Sequence, residues 1–412
     1  MSLNLNQYEK EMLDGKHGEA KQLAMTIMIK AGEPLGAEEL VEVASVQAMA
    51  HFGSLHIAGR DFLERLAGMG GQCCVPTTQD PASIPYDTWE EMGYDKEYAE
   101  NQMRLCKAIM QLGEYHAWSC TPYVQGSIPR LGQNVAWAES SAVSYANSVF
   151  GARTNRTPAG LAVCAAITGR IPKFGLYIEE NRKAQVKINI DAGELSDLDY
   201  NTIGIIIGKR VGNHIPAIYG IPGRVTNDNL KYLGACAASS GSVALFHAAA
   251  ITPEAFYTDP FEDHTPIDEF TITRDMLAET EKSMCTKAPG EIDLYVTGCP
   301  HSSIAEVTKL SRLMKNRRVI GGKDMWIFTT AETNNMLRRS GIIQEMEKAG
   351  VRMMVQTCLV ISPLVGNGKY KTLITDSGKN ASYLPSEHGI ELVYASMEDC
   401  VNAVTEAVEG EK

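Results

Sequence analysis

Asp293-Leu-Tyr-Val-Thr-Gly-Cys-Pro-His-Ser-Ser303 is the stretch that decides the fold class. Residues 293–297 read as a buried strand, Gly298 breaks the run, and a helical pattern begins at Ser303 and continues to about residue 315. Working outward, the same alternation repeats: a strand over 325–330, a helix over 332–349, strands over 353–356, 372–375 and 392–394, and a closing helix over 397–408. Strands that alternate with helices argue for an α/β fold with a parallel, doubly wound sheet.

Upstream the pattern is more helical. Helices are expected over 19–30 and, after the breaker Gly32-Glu-Pro-Leu-Gly36, over 37–51. A short strand is expected over 73–76, followed by an irregular Pro-containing stretch over 76–88. Helices follow over 97–113, 135–150 and 159–168, the last two separated by the glycine-led loop 151–157. There is no low-complexity tract or long linker, so the 412 residues read as one module. Soft breaks near Gln185 and Pro289 divide it into lobes 1–185, 186–289 and 290–412.

Composition narrows the function class. With 44% hydrophobic and 21% charged residues the chain can bury a large core, and its net charge of −12 gives no basic face for nucleic acid. No apolar run reaches the ~20 residues of a membrane span. The first ten residues lack the layout of a signal peptide, so a cytoplasmic location is expected.

Ten cysteines without a CxxC pair suit neither a disulfide framework nor a zinc ribbon. Cys106, Cys164, Cys236 and Cys400 lie in apolar helical patterns and read as core. Cys73 and Cys74 point to opposite faces of a strand, and Cys285 has no informative context. Cys299 and Cys358 each follow the carboxyl end of an expected strand, where ligands of open α/β sheets collect. Cys120 sits in the loop Ala117-Trp-Ser-Cys-Thr-Pro-Tyr123. Three converging loop thiolates would make a soft-ligand site for an iron–sulfur cluster or another thiophilic metal, with a position open for substrate. The competing reading is that only one or two of them face a site.

The loop Ala152-Arg-Thr-Asn-Arg156 offers two guanidiniums before a helix, a pattern suited to a carboxylate or phosphate. An exposed loop with surface ion pairs is the alternative. Glu139, Ser140, Ser141 and Asn147 lie on the helix just upstream. His301, two residues after Cys299, could form a Cys–His pair. His51, His56 and His247 read as core or helix-surface histidines. No phosphate loop, GxSxG elbow or GxGxxG turn is present.

These segments carry a family resemblance. Ser119-Cys-Thr-Pro-Tyr123, Glu139-Ser-Ser-Ala-Val143, Tyr145-Ala-Asn-Ser-Val-Phe-Gly-Ala-Arg-Thr-Asn-Arg156, Gly298-Cys-Pro-His301, Thr357-Cys358, Asp376-Ser-Gly-Lys379 and the stretch from Gly234 to His247 resemble the large subunit of aconitase X. The resemblance spans essentially the whole chain. It implies an aconitase-like body of α/β/α lobes with parallel or mixed sheets, lacking the swivelling domain. It also implies a metal-dependent hydro-lyase that removes water from a small hydroxy-carboxylate. Its members include cis-3-hydroxy-L-proline dehydratases, the favoured activity here, and phosphomevalonate dehydratases; a non-catalytic binding or scaffold subunit is the remaining alternative. Carried over by motif, Cys120, Cys299 and Cys358 would hold an iron–sulfur cluster or a mononuclear iron. The CxxC of aconitase itself is absent. Arg153, Thr154, Asn155, Arg156, Ser140, Ser141, His301 and Lys379 form the expected substrate-binding set. Where the family continues Arg-Thr-Asn-Arg with Glu-Gly-Gly, this chain has Thr157-Pro-Ala-Gly160. The missing swivelling domain, which supplies an active-site serine in the superfamily, implies a separate small subunit.

Overall fold

The computed structural model describes residues 3–115, 117–262, 264–288 and 290–408; Pro289, the expected second break, lies outside the described residues. In the C-terminal lobe five strands form one sheet in the spatial order Val351–Val355, Asp324–Thr329, Leu294–Ser302, Thr372–Thr375, Glu391–Tyr394. Every pairing is parallel. Leu294, Tyr295 and Val296 are all fully buried, because helices cover both faces of such a sheet. The first strand in the chain is the central one. The next two lie to one side of it and the last two to the other, so the winding reverses there and a crevice opens at the carboxyl ends.

The central strand is interrupted at its functional end. Thr297 pairs with Ile327 and Ser302 with Thr329, so residues 298–301 bulge out of the ladder. Gly298 permits this: its φ is +94°, and a Cβ there would lie 2.0 Å from the Phe328 carbonyl oxygen. Cys299 therefore rides on a bulge within the strand rather than beyond its end. Two other expectations change in detail. The helix over 332–349 breaks at Gly341 into Ala331–Arg339 and Ile342–Lys348. The last segment is the helix Met397–Val404 followed by the strand Thr405–Ala407, which pairs with Arg317–Val319.

The middle lobe repeats the winding with four parallel strands, in the order His247–Ala248, Pro216–Tyr219, Val186–Asp191, Asp268–Thr273. Its helices Asp197–Val211 and Asn227–Gly241 pack closely, because Gly208 presents bare backbone to the second helix.

The N-terminal lobe departs most from its reading. Residues 37–51 are not a helix; they form the strands Leu40–Glu42 and Val46–Ala48. Val46–Ala48 is buried along its whole length between the parallel strands Thr77–Gln79 and Ala136–Trp137. A strand of three residues buried on both faces is too short to show a period, so periodicity cannot separate it from a helix. For the same reason the expected helix over 135–150 begins as the strand Ala136–Trp137 and becomes helical only at Ser140–Ser148. The expected strand over 73–76 lies further on, at Thr77–Gln79. The helices Glu19–Gly32, Lys96–Gln111 and Ala159–Thr168 stand where the pattern put them. Cys106, Cys164, Cys236 and Cys400 are fully buried in helices. No helix among the described residues is long and apolar enough to cross a membrane.

Candidate active site

Two of these sheets turn their carboxyl ends toward one cavity of about 270 Å³. From the N-terminal lobe come His51 after Val46–Ala48, Asp80 after Thr77–Gln79 and Glu139 after Ala136–Trp137. From the C-terminal lobe come Cys299 on the bulge, Cys358 after Val351–Val355 and Lys379 after Thr372–Thr375. Cys120, Ser54, Ser140 and Tyr383 complete the polar lining.

The three cysteines are held by backbone contacts. Cys120 Sγ accepts a hydrogen bond from the His301 amide at 3.2 Å. The Cys299 carbonyl accepts from Ser377 Oγ, and the Cys358 amide donates to the Ala82 carbonyl at 3.1 Å. Burial pushes the Cys120 thiol well above its ordinary value. Cys299 and Cys358 share a hydrogen bond in which Cys299 keeps the proton. That bond raises Cys299 and lowers Cys358.

Lys379 and Glu139 form a buried ion pair across the cavity, 7% and 8% exposed. Burial works against both charges, but each outweighs it for the other, so Lys379 is held well above the usual lysine value and Glu139 below the usual carboxyl value. Glu139 also caps the helix Ser140–Ser148, accepting from the Ala142 amide at 2.8 Å and from Ser141 Oγ. Opposite them, His51 Nε2 lies 3.6 Å from Asp80 Oδ2. Burial raises the Asp80 carboxyl to about 6 despite the histidine beside it. His51 Nδ1 and Asp80 Oδ1 are buried without a hydrogen-bond partner among the described residues. Unpaired buried polar atoms of this kind each cost about 1–3 kcal/mol, which favours a ligand that supplies the partner.

Not every expected residue joins this group. Lys379 and Ser140 do, whereas Ser141 is consumed by Glu139. His301 lies 2% exposed behind the cysteines and does not line the cavity. Burial lowers its pKa to about 4, so the ring is neutral. The arginine loop is a correction. Arg153 is bound by Glu254, Glu179 and the Gly151 carbonyl. The Thr154 hydroxyl serves the Trp137 amide and the Asn155 carbonyl. The Asn155 side chain spans the Phe174 carbonyl and the Leu176 amide. Arg156 is exposed and lines a different, largely apolar cavity with Phe62, Phe174 and Leu245. The loop is thus mostly a brace between lobes, and the anion cradle is not built at the cysteines.

The cavity also holds His51, Asp80, Ser54 and Tyr383, which the sequence pattern does not single out. The rule that found Cys299 and Cys358 also covers His51 and Asp80, since both follow the carboxyl end of a parallel strand. It went unused because residues 37–51 read as helix and 76–88 as irregular.

Three soft thiols from three separate loops share one cavity, which suits iron or an iron–sulfur cluster. Among the described residues no three His, Cys, Asp or Glu side chains already stand in the closed geometry of a metal site, so the fit rests on donor chemistry and shared location.

Comparison with known proteins agrees with this layout. Family models for the first, second and third domains of aconitase X match residues 2–180, 184–282 and 292–406. The phosphomevalonate dehydratase large subunit of Methanothermobacter thermautotrophicus is 37% identical, over 95% of this chain and 96% of the relative. The cis-3-hydroxy-L-proline dehydratase of Pseudomonas aeruginosa is 33% identical, over 97% of this chain and 69% of the relative. The crystal structure of Thermococcus kodakaraensis aconitase X in its holo form superposes with a TM-score of 0.88 at 30% identity, covering 98% of this chain and 100% of that one.

Proposed function

Since this chain belongs to the aconitase X family, whose named relatives are dehydratases, we propose that its cysteine-lined cavity removes water from a small hydroxy-carboxylate. One observation carries the reading: the carboxyl ends of two parallel sheets deliver three thiols, a lysine–glutamate pair and a histidine–aspartate pair to one open cavity. In the reaction a C–H bond and a C–O bond break, a C=C bond forms, and water leaves. Cys120, Cys299 and Cys358 would hold the iron centre, which when bound supplies a Lewis acid for the departing hydroxyl.

The chain's own residues do the rest. Lys379 Nζ offers the cavity its ammonium for the substrate carboxylate, and Glu139 keeps that ammonium charged and aimed. Asp80 and His51 can exchange a proton with a bound substrate, and the value of about 6 places the Asp80 carboxyl near the working range of an acid–base group. A separate small subunit would close over the crevice, exclude water and contribute a serine. Two facts support that partner. Relatives matched over their full length are named large subunits. The chain also covers 69% of the Pseudomonas relative, which carries no subunit designation.

Charge balance favours cis-3-hydroxy-L-proline as substrate. The cavity holds one ammonium already matched by a carboxylate, and the arginines lie elsewhere, which suits a compact zwitterion better than a phosphorylated acid. Phosphomevalonate is the second reading, favoured by the end-to-end match to large subunits of that name.

The test is anaerobic iron loading of the chain and its Cys120→Ser, Cys299→Ser and Cys358→Ser variants, followed by a two-substrate assay with the co-expressed small subunit. Lost iron in the variants and an unsaturated product from the hydroxyproline are expected. Full iron retention in all three variants would overturn the metal assignment. Turnover of phosphomevalonate alone would overturn the substrate.

A further inference from the structure

His301 touches the loop of every cysteine in the cavity without lining the cavity itself. It follows Cys299 by two residues on the bulge. Its backbone amide donates to Cys120 Sγ at 3.2 Å. Its Nε2 lies 2.9 Å from the carbonyl of Thr357, the residue before Cys358. A carbonyl only accepts, so Nε2 carries the proton and Nδ1 is the bare nitrogen. That nitrogen sits 3.2 Å from Ser119 Oγ, the residue before Cys120. Ser119 Oγ in turn accepts from the Thr121 amide at 3.0 Å, so it clasps Cys120 from both sides. Both ring nitrogens are thereby used inside the protein, and neither is free to bind a metal or a substrate.

The anchor behind His301 is equally fixed. Its carbonyl lies 3.4 Å from Lys231 Nζ, an ammonium only 3% exposed and paired with Glu306 and with Asp228 at 3.2 Å. Glu306 belongs to the capping box of the helix Ile304–Leu313, which starts directly after the bulge. The chain of contacts thus runs from a buried ion pair, through the start of one helix, to three loops.

We propose that His301 is a positioning residue that sets the three cysteine loops at a common spacing, so that their thiols act as one ligand set. The proposal rests on the reading that Cys120, Cys299 and Cys358 hold the metal. The physical reason is that the three segments lie far apart in sequence and belong to different elements of the fold, so nothing local sets their mutual spacing. One buried imidazole with two opposed hydrogen bonds, plus one amide, ties them together. Groups that orient metal ligands from behind in this way are worth about 10- to 100-fold in metal affinity.

The experiment titrates the full chain anaerobically with Co²⁺ and follows the thiolate-to-cobalt absorption, a signal independent of turnover. Thermal melting of each variant checks the fold. His301→Leu is expected to weaken cobalt binding about 10- to 100-fold. His301→Gln keeps a side-chain amide that can reach the Thr357 carbonyl, and is expected to recover part of the loss. Wild-type affinity, within about twofold, in a folded His301→Leu chain would overturn the proposal. If His301→Leu does not fold, Ser119→Ala, which removes the Nδ1 contact together with the clasp on the Thr121 amide, decides in its place. A loss of about threefold supports the role, and unchanged affinity overturns it. Failure of the underlying metal reading looks different: the wild-type chain would give no thiolate band, or the three cysteine variants would all keep it.

Discussion

Replacing Lys379 by Met strands a carboxylate. Glu139 is 8% exposed, and its ammonium partner would be gone. Breaking one side of a buried pair costs about 3–5 kcal/mol, because the remaining charge is left uncompensated. The helix cap from Glu139 to Ala142 survives the change, so the cost is the lost partner and not the cap. Glu139→Gln should cost a similar amount by stranding the ammonium instead. The double variant leaves no charge behind, so it should cost no more than about either single variant rather than their sum.

The pH dependence gives a second handle on the same pair. In the wild type the folded Glu139 carboxyl lies below its ordinary value of 4.5. Its contribution to stability is therefore present above 4.5 and is lost as pH falls through the lower folded value. In Lys379→Met burial is opposed only by the Ser141 and Ala142 hydrogen bonds, so the carboxyl rises and this group removes stability as pH rises above 4.5. Urea denaturation of chelator-treated chain, followed by far-UV circular dichroism from pH 4.5 to 8, reads the slope of the variant against a wild type in which this group adds none. Additive single-variant costs, or a Lys379→Met stability parallel to wild type across that range, would refute the argument.

Glu114 is 5% exposed, and burial raises its carboxyl to about 8 with Gln79 as partner. Wild-type stability should therefore fall as pH rises from 4.5 through 8, and Glu114→Gln should flatten that slope in the same denaturation series. Gly298→Ala places a Cβ 2.0 Å from the Phe328 carbonyl at a φ of +94°, so it should destabilise the chain by at least about 2 kcal/mol and cut metal loading, measured by melting and iron content. Arg153→Met should lower stability by roughly 2–4 kcal/mol by stripping Glu254 of one guanidinium, with KM of the assembled enzyme unchanged; a large KM increase at full stability would return this arginine to the substrate.

The C-terminal half of the site was legible because its sheet follows a simple rule. Strand, carboxyl-end loop and helix recur there, and the rule singles out Cys299 and Cys358 from ten cysteines. Cys120 was legible only as a thiol in a loop with no structural excuse. The N-terminal half was hidden by three short strands, Val46–Ala48, Thr77–Gln79 and Ala136–Trp137, each two or three residues long and buried throughout. No periodicity survives in so short a segment, and with the strands went the loops that carry His51 and Asp80. The arginine loop misled for a different reason. Its composition matches an anion site, but composition does not show that Glu254 and Glu179, about a hundred and some twenty-five residues downstream, already neutralise Arg153. His301 stands out by its proximity to Cys299, and spacing cannot show that its ring faces the protein instead of the cavity.

The wide spacing of the cysteines also has a consequence in time. Roughly 240 residues lie between Cys120 and Cys358, and ribosomes add about 5–20 residues per second, so Cys120 is made on the order of 10–50 s before its last companion. A growing chain shorter than 358 residues lacks part of the thiol set, and the sheet that carries two of the three is the last to be made. On the proposed assignment, metal loading therefore waits until the C-terminal lobe has been made. Until then the loop of Cys120 rests on the N-terminal lobe alone, through the Gln79 carbonyl and the Gln47 side chain, and the contact with the His301 amide comes only with the C-terminal sheet.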